Sequence, residues 1–329
     1  MRNGYPLVEL HRHLDGNVRL ATVLDIARRH QVDLPAWTLE ELRPYVQVTE
    51  REPSLMAFIA KFDVLRRVVV DYDAVRRIVR ENLEDAVADG IDYIELRFSP
   101  RFMAEYHGLD VIGVAEAACD ALEEARGKIP VRAKLIGIIS RHYGAEAGWL
   151  ELEAAVRCRD RGMVALDLAG DEANFPGDLF VDHFRKAREE GLRITVHAGE
   201  AAGAASVRQA IMELGAERIG HGVRSVEDPA VVDLVAERRI HLEVCPTSNI
   251  HTSTLPDYAS NPLPAFLRRG LSVGINTDDP SISGIDLPHE YRIARTGLGL
   301  SEDEILQLQK NALEAAFLTA EERAELSPA

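Results

Sequence analysis

Short runs of apolar, β-favouring residues alternate along the chain with longer runs whose apolar positions recur at helical spacing. The short runs are Leu7–His11, Tyr93–Phe98, Arg132–Ile139, Val164–Leu168, Ile194–His197, Arg218–His221, His241–Cys245 and Ser272–Asn276. Several are apolar on consecutive positions, as strands buried on both faces are. Between them lie helical patterns such as Tyr72–Asp89, Val111–Arg126, Asp178–Glu190 and Pro229–Glu237. Eight strands, each followed by helical sequence, predict a parallel (β/α)8 barrel of the α/β class. That fold takes about 250 residues as one domain. No linker divides the chain, so residues 1–329 read as a single domain.

The first crossover departs from the rhythm. It runs from Asp15 to Gly90 and carries helical patterns of its own, at Val18–His30 and Pro53–Val69. An insertion after a barrel strand lies on the C-terminal face, where it can act as a lid. Leu55, Phe58, Ile59 and Phe62 recur at helical spacing within it. They either pack the insertion onto the barrel or also line a pocket. The tail from Ser301 to Ala329 reads as one or two closing helices.

Composition narrows the function. The formal net charge is −16, with no basic stripe to offset it, which argues against nucleic acid and for a small neutral substrate. No apolar run approaches the roughly 20 residues of a membrane helix. Met1 to Pro6 shows no signal-peptide pattern, and the three cysteines, Cys119, Cys158 and Cys245, are too far apart for a disulfide framework or a Cys-x-x-Cys metal site. A cytoplasmic protein is expected. Nothing in the sequence sets the oligomeric state, and a monomer is compatible with it.

The distribution of unusual polar residues is more specific. His11 and His13 end the first strand, and a spacing of two puts both on one side of it. His197 and Glu200 follow the fifth strand in His-Ala-Gly-Glu. His221 ends the sixth, and Asp278 and Asp279 follow the eighth in Asn-Thr-Asp-Asp-Pro. Alone, each has a plain structural explanation: a hydrogen-bonded core histidine, or a turn. Together they fall at the C-terminal strand ends, the catalytic face of such a barrel. Imidazoles with a carboxylate suit zinc, and Glu200 stands near the metal ligands without having to be one.

Seven motifs carry a resemblance to a known family. They are Leu-His-Arg-His-Leu-Asp-Gly (10–16), Glu-Leu-Arg-Phe-Ser-Pro (95–100), Leu-Asp-Leu-Ala-Gly-Asp-Glu (166–172), His-Ala-Gly-Glu (197–200), Arg-Ile-Gly-His-Gly (218–222), Cys-Pro-Thr-Ser-Asn (245–249) and Asn-Thr-Asp-Asp-Pro (276–280). The chain resembles the adenosine deaminase family, its bacterial members above all, over nearly its whole length. The resemblance implies one zinc ion held by His11, His13, His197 and Asp278, and hydrolysis of adenosine or 2′-deoxyadenosine to the inosine product and ammonia, in purine salvage. It implies a proton on purine N1 from Glu200, a water oriented or deprotonated by His221, and a hydrogen bond from Asp279 to N7. It also implies that the Gly170 N–H meets N3, that Asp15 meets the ribose 5′-hydroxyl, and that His13 borders the substrate.

Two of these positions have plainer readings. Gly170 could only permit a turn, and Asp15 could cap the helical segment that begins near Val18. The competing substrates are adenine, adenosine monophosphate and aminodeoxyfutalosine. Adenine-specific relatives tend to carry Glu where this chain has Asp15, and no cluster of basic residues near Arg12 and Arg19 is laid out for a phosphate. A two-metal hydrolase of the wider amidohydrolase group would commonly place a bridging lysine at the end of the fourth strand. Val-Ala-Leu-Asp-Leu-Ala-Gly has none. A non-catalytic nucleoside-binding protein is the remaining alternative.

Overall fold

The structure, a computed structural model, describes residues 4–327. Eight parallel strands follow one another around a barrel in sequence order: β1 (Val8–His13), β2 (Tyr93–Phe98), β3 (Arg132–Ser140), β4 (Met163–Ala169), β5 (Arg193–Ala198), β6 (Arg218–His221), β7 (His241–Val244) and β8 (Val273–Ile275). The ring closes just beyond β8. The His13 N–H donates to the Asp278 carbonyl at 2.8 Å, and the Asp278 N–H donates to the His11 carbonyl at 2.9 Å.

Helices cover the outside for the reason their spacing predicts. In the helix Tyr72–Ala88, Val75, Ile78, Val79, Leu83 and Ala86 are buried, and the Asp71 carboxylate caps the first turn by accepting from the Ala74 N–H at 2.8 Å. The helical pattern at Val18–His30 forms Leu20–His30. The one at Pro53–Val69 breaks into two short helices, Leu55–Ile59 and Phe62–Arg66. The tail forms Glu302–Ala315 and Ala320–Leu326, with Ala329 outside the described residues.

The strand interior differs from the expected apolar run. In β2, Ile94, Leu96 and Phe98 face the helices, while Glu95 and Arg97 are fully buried on the barrel side. Asp167 of β4 and Glu243 of β7 join them. Arg97 pairs with Asp167 at 2.9 Å and Glu243 at 2.6 Å, and Arg218 pairs with Glu95 at 2.5 Å and Glu243 at 2.7 Å. Buried charges persist only when paired and hydrogen-bonded, so these strands alternate instead of running apolar throughout. The tail closes the far end of the barrel: the Phe317 N–H donates to Glu95 at 2.6 Å, and the Arg218 guanidinium lies 3.6 Å from the Phe317 ring centre.

Candidate active site

Strand ends aim the site residues. β1 delivers His11 and His13, β5 His197, the turn after β5 Glu200, β6 His221, and the segment after β8 Asp278 and Asp279. All seven are buried. His221 and Asp278 reach their places with left-handed backbone angles, φ +61° and +66°.

One ligand atom each from His11, His13, His197 and Asp278 lies within 4.8 Å of the others, so the four could hold a metal ion. Their hydrogen bonding favours a cation. His11 Nδ1 sits 2.8 Å from Glu243 and His197 Nδ1 sits 3.0 Å from Asp167, which places both ring protons on Nδ1 and leaves the Nε2 lone pairs facing inward. His13 Nε2 lies 3.1 Å from His197 Nε2, and His11 Nε2 is buried without a hydrogen bond. Nitrogen lone pairs converge on one carboxylate, Asp278, whose Oδ1 is 3.1 Å from His11 Nε2 and 3.3 Å from His13 Nε2. Imidazole and carboxylate in that proportion fit zinc. Burial lowers His197 to about 4, against its partner Asp167, so its ring is neutral. Burial opposes a charge on His13 too, but Asp279, Asp15 and Asp278 prevail and raise it well above its ordinary value.

A second group of residues faces the same space. Glu200 Oε1 and Asp279 Oδ1 are buried and have no hydrogen-bond partner in the protein. Burial, then the neighbouring Asp278, raises both carboxyl groups well above the ordinary carboxylate range. Asp278 goes the other way: burial would raise it, but His221, His11 and His13 hold it well below. Burial and their neighbours therefore push the two adjacent aspartates in opposite directions, Asp278 toward its charged form and Asp279 toward its acid form. Gly16 makes room for the acid, since a Cβ there would lie 1.7 Å from Asp279 Oδ1. His221 Nε2 is 3.6 Å from Glu200 and 3.8 Å from Asp278, and burial keeps its ring neutral. Asn249 donates to His221 Nδ1 at 3.0 Å, which puts the neutral ring's proton on Nε2, toward the site.

The cavity between them has a volume of about 50 Å³ and is lined by His13, Ala169, Gly170, His197, Glu200, His221, Asp278 and Asp279. Leu55, Phe58, Ile59 and Phe62 of the insertion roof it, and of these Phe58 and Phe62 also belong to the hydrophobic core. Gly170 has φ +101°, in the wall of the cavity. Asp15 does not cap a helix. Its Oδ2 accepts the Ser99 N–H at 3.1 Å, and its buried Oδ1 has no hydrogen-bond partner and lies 3.6 Å from His13 Nδ1. Larger hollows of about 600 and 800 Å³ open at the other end of the barrel and contain none of these residues.

Several functional neighbours were not singled out from the sequence. Asp167 and Glu243 orient the imidazoles, and the Ser248 hydroxyl donates to Asp278 Oδ2 at 2.6 Å. Asn249 orients His221, and Glu172 anchors the turn that carries Glu200. Four of the five stand inside quoted motifs. Glu243 had only its charge in a buried strand as a signal.

Comparison with known proteins identifies the family. The adenosine deaminase family profile matches residues 6–328. An adenosine deaminase of Escherichia coli O1:K1 is 53% identical over 98% of this chain and 96% of its own length. Among solved structures, adenine deaminase from Arthrobacter aurescens superposes with a TM-score of 0.90 at 27% identity, covering 98% of this chain and 97% of that one. An amidohydrolase from Burkholderia ambifaria, solved with bound zinc, superposes with a TM-score of 0.85 at 26% identity, covering 98% and 88%. The family profile, the identity across nearly the whole length and the fold agree: the chain belongs to the adenosine deaminase family.

Proposed function

We propose that the protein hydrolyses adenosine and 2′-deoxyadenosine to inosine and 2′-deoxyinosine with release of ammonia, using one zinc ion held by His11, His13, His197 and Asp278. The observation that carries this reading is a four-donor cluster sharing one cavity with two buried carboxyl groups, Glu200 and Asp279, each with one oxygen that has no hydrogen-bond partner in the protein. A zinc ion there supplies Lewis acidity that brings the pKa of water toward about 7.

The chain's own residues do the rest. Attack at C6 needs electron density withdrawn from the ring, and Glu200, held protonated by burial, gives a proton to N1. Asp279, also protonated, donates to N7. His221, with its proton on Nε2, orients the attacking water as a donor, which the Asn249 bond favours over a role as base. The Gly170 N–H meets N3, Asp15 takes the ribose 5′-hydroxyl beside His13, and the phenyl rings of Phe58 and Phe62 keep bulk water out. As the C6–O bond forms, the proton shed by the water restores Glu200 to its acid form. As the C6–N bond breaks, the proton of the new hydroxyl passes to the amino group, which leaves as ammonia. Pockets for small ligands span about 300–1,000 Å³. A 50 Å³ cavity therefore takes a nucleoside only when the roofing helices move.

The same reading places residues 1–329 in one catalytic domain, in the cytoplasm, in purine salvage. No helix among the described residues is long and apolar enough to cross a membrane.

A second reading, adenine deamination, is favoured by the Arthrobacter structure. Zinc-loaded protein tested against adenosine, 2′-deoxyadenosine, adenine, adenosine monophosphate and aminodeoxyfutalosine separates the two. Turnover of the first two, followed by absorbance, is expected. Turnover of adenine alone overturns the proposal. Glu200→Gln should keep its zinc and lose about 10²- to 10⁴-fold in kcat, because the shape stays and the acid goes.

A further inference from the structure

Glu172, in the segment after β4, accepts four consecutive backbone N–H groups. Gly199 donates to Oε1 at 2.7 Å, and Glu200, Ala201 and Ala202 donate to Oε2 at 3.1, 2.7 and 2.8 Å. Its side chain is buried. Successive N–H groups turned to one point form a concavity that binds anions. In this protein the anion is built in.

The turn it holds cannot hold itself. Ala198, Gly199, Ala201, Ala202 and Gly203 have no polar side chain, and the only one in the stretch, Glu200, faces the cavity. Gly199 has φ +70°, and a Cβ there would lie 2.6 Å from Val207, so no larger residue could substitute for the missing anchor. The carbonyl side is pinned from elsewhere: Arg141 donates to the His197 carbonyl and Arg224 to the Ala201 carbonyl, at 2.8 and 2.7 Å. The N–H side depends on Glu172. Two residues before Glu172 is Gly170, so one carboxylate ties the wall of the cavity at Gly170 to the turn that carries Glu200.

We infer that Glu172 is a positioning residue for the deamination, fixing the backbone of residues 199–202 so that the Glu200 carboxyl meets the ring nitrogen it protonates. This rests on the reading of Glu200 as the proton donor. A group displaced by about 1 Å costs about 100-fold in rate. Glu172→Gln keeps the shape but turns an amide NH₂ toward N–H donors.

The test uses zinc-loaded Glu172→Gln, Glu172→Asp, Glu200→Gln and the double variant E172Q/E200Q, with metal content and thermal midpoint measured on each. Glu172→Gln is expected to keep its zinc, lose about 100-fold in kcat and change KM by less than about threefold. The double variant should be no slower than Glu200→Gln, because residues that act as one unit do not add. A folded, zinc-loaded Glu172→Gln within about threefold of the parent kcat overturns the inference, and so does a double variant that multiplies the two losses. If Glu172→Gln does not fold, Glu172→Asp carries the test, since it keeps the charge but reaches fewer donors. About a tenfold loss in kcat supports the inference, and parental kcat overturns it. An active Glu200→Gln would instead sink the donor assignment, whatever the Glu172 variants do.

Discussion

His221 and Asp278 show what single residues give up for this site. Left-handed backbone costs about 1–3 kcal/mol at a non-glycine position and persists only where the surroundings impose it. For Asp278 the surroundings are the two backbone bonds to β1 that close the barrel, so the same residue completes the ring and offers its carboxylate to three imidazoles. His197 sits on regular strand backbone, with its tautomer fixed by Asp167, and it is the cleaner residue to remove. His197→Ala takes away one of four donors and leaves His13 Nε2 without its facing nitrogen. The purified variant should hold less than about a tenth of an equivalent of zinc by elemental analysis and show a matching loss of turnover. One full equivalent retained after dialysis would remove His197 from the ligand set.

At the scale of elements, β2, β4 and β7 form a support layer beneath the candidate metal cluster. Arg97 of β2 bridges Asp167 of β4 and Glu243 of β7, and those carboxylates accept from His197 and His11. Burial alone would raise Glu243, but Arg97 and Arg218 hold it well below its ordinary value, and His197 and Arg97 do the same for Asp167. Partners of metal-ligating histidines typically contribute 10- to 100-fold in affinity. Asp167→Asn should therefore fold, bind zinc about 10- to 100-fold more weakly in a chelator competition, and regain activity at excess zinc. Unchanged affinity would make Asp167 a partner of Arg97 alone. This layer also marks the limit of what the sequence tells. The candidate metal cluster was legible because His11, His13, His197 and Asp278 break apolar runs at their C-terminal ends, where a barrel keeps its site. Glu95, Arg97 and Glu243 sit inside runs whose apolar neighbours dominate the pattern. Periodicity says that such charges are buried. It does not say which charge on a strand one hundred residues away is opposite. The break of Pro53–Val69 into two helices was hidden likewise, because Leu55, Phe58, Ile59 and Phe62 follow helical spacing across the break.

Across the whole molecule, the buried acids divide into two sets with opposite pH dependence. Asp167, Glu243 and Asp278 have folded-state values well below the ordinary range, so the stability they contribute is present above about pH 4 and is lost as pH falls further. Glu151 and Glu290 are raised by burial to about 8, from an ordinary value of 4.5. The native state then keeps a proton on each that the unfolded chain has released. Their contribution is fully present below about pH 4.5 and is lost as pH rises toward and through about 8, at no more than about 1.4 kcal/mol per pH unit for each group. Glu151 lies 2.6 Å from the Ser99 hydroxyl and accepts the Ser140 N–H, while Glu290 accepts the Thr247 N–H on one oxygen and leaves the other unpartnered. Thermal midpoints taken by calorimetry at saturating zinc should peak near pH 5 to 6 and decline toward pH 9. A glutamine has the shape of a protonated glutamic acid and does not titrate. E151Q/E290Q should match the parent near pH 5, exceed it above pH 8, and flatten the alkaline decline between. An alkaline slope equal to the parent's would show that both carboxyl groups ionise in the folded protein, and the decline would have to come from other groups.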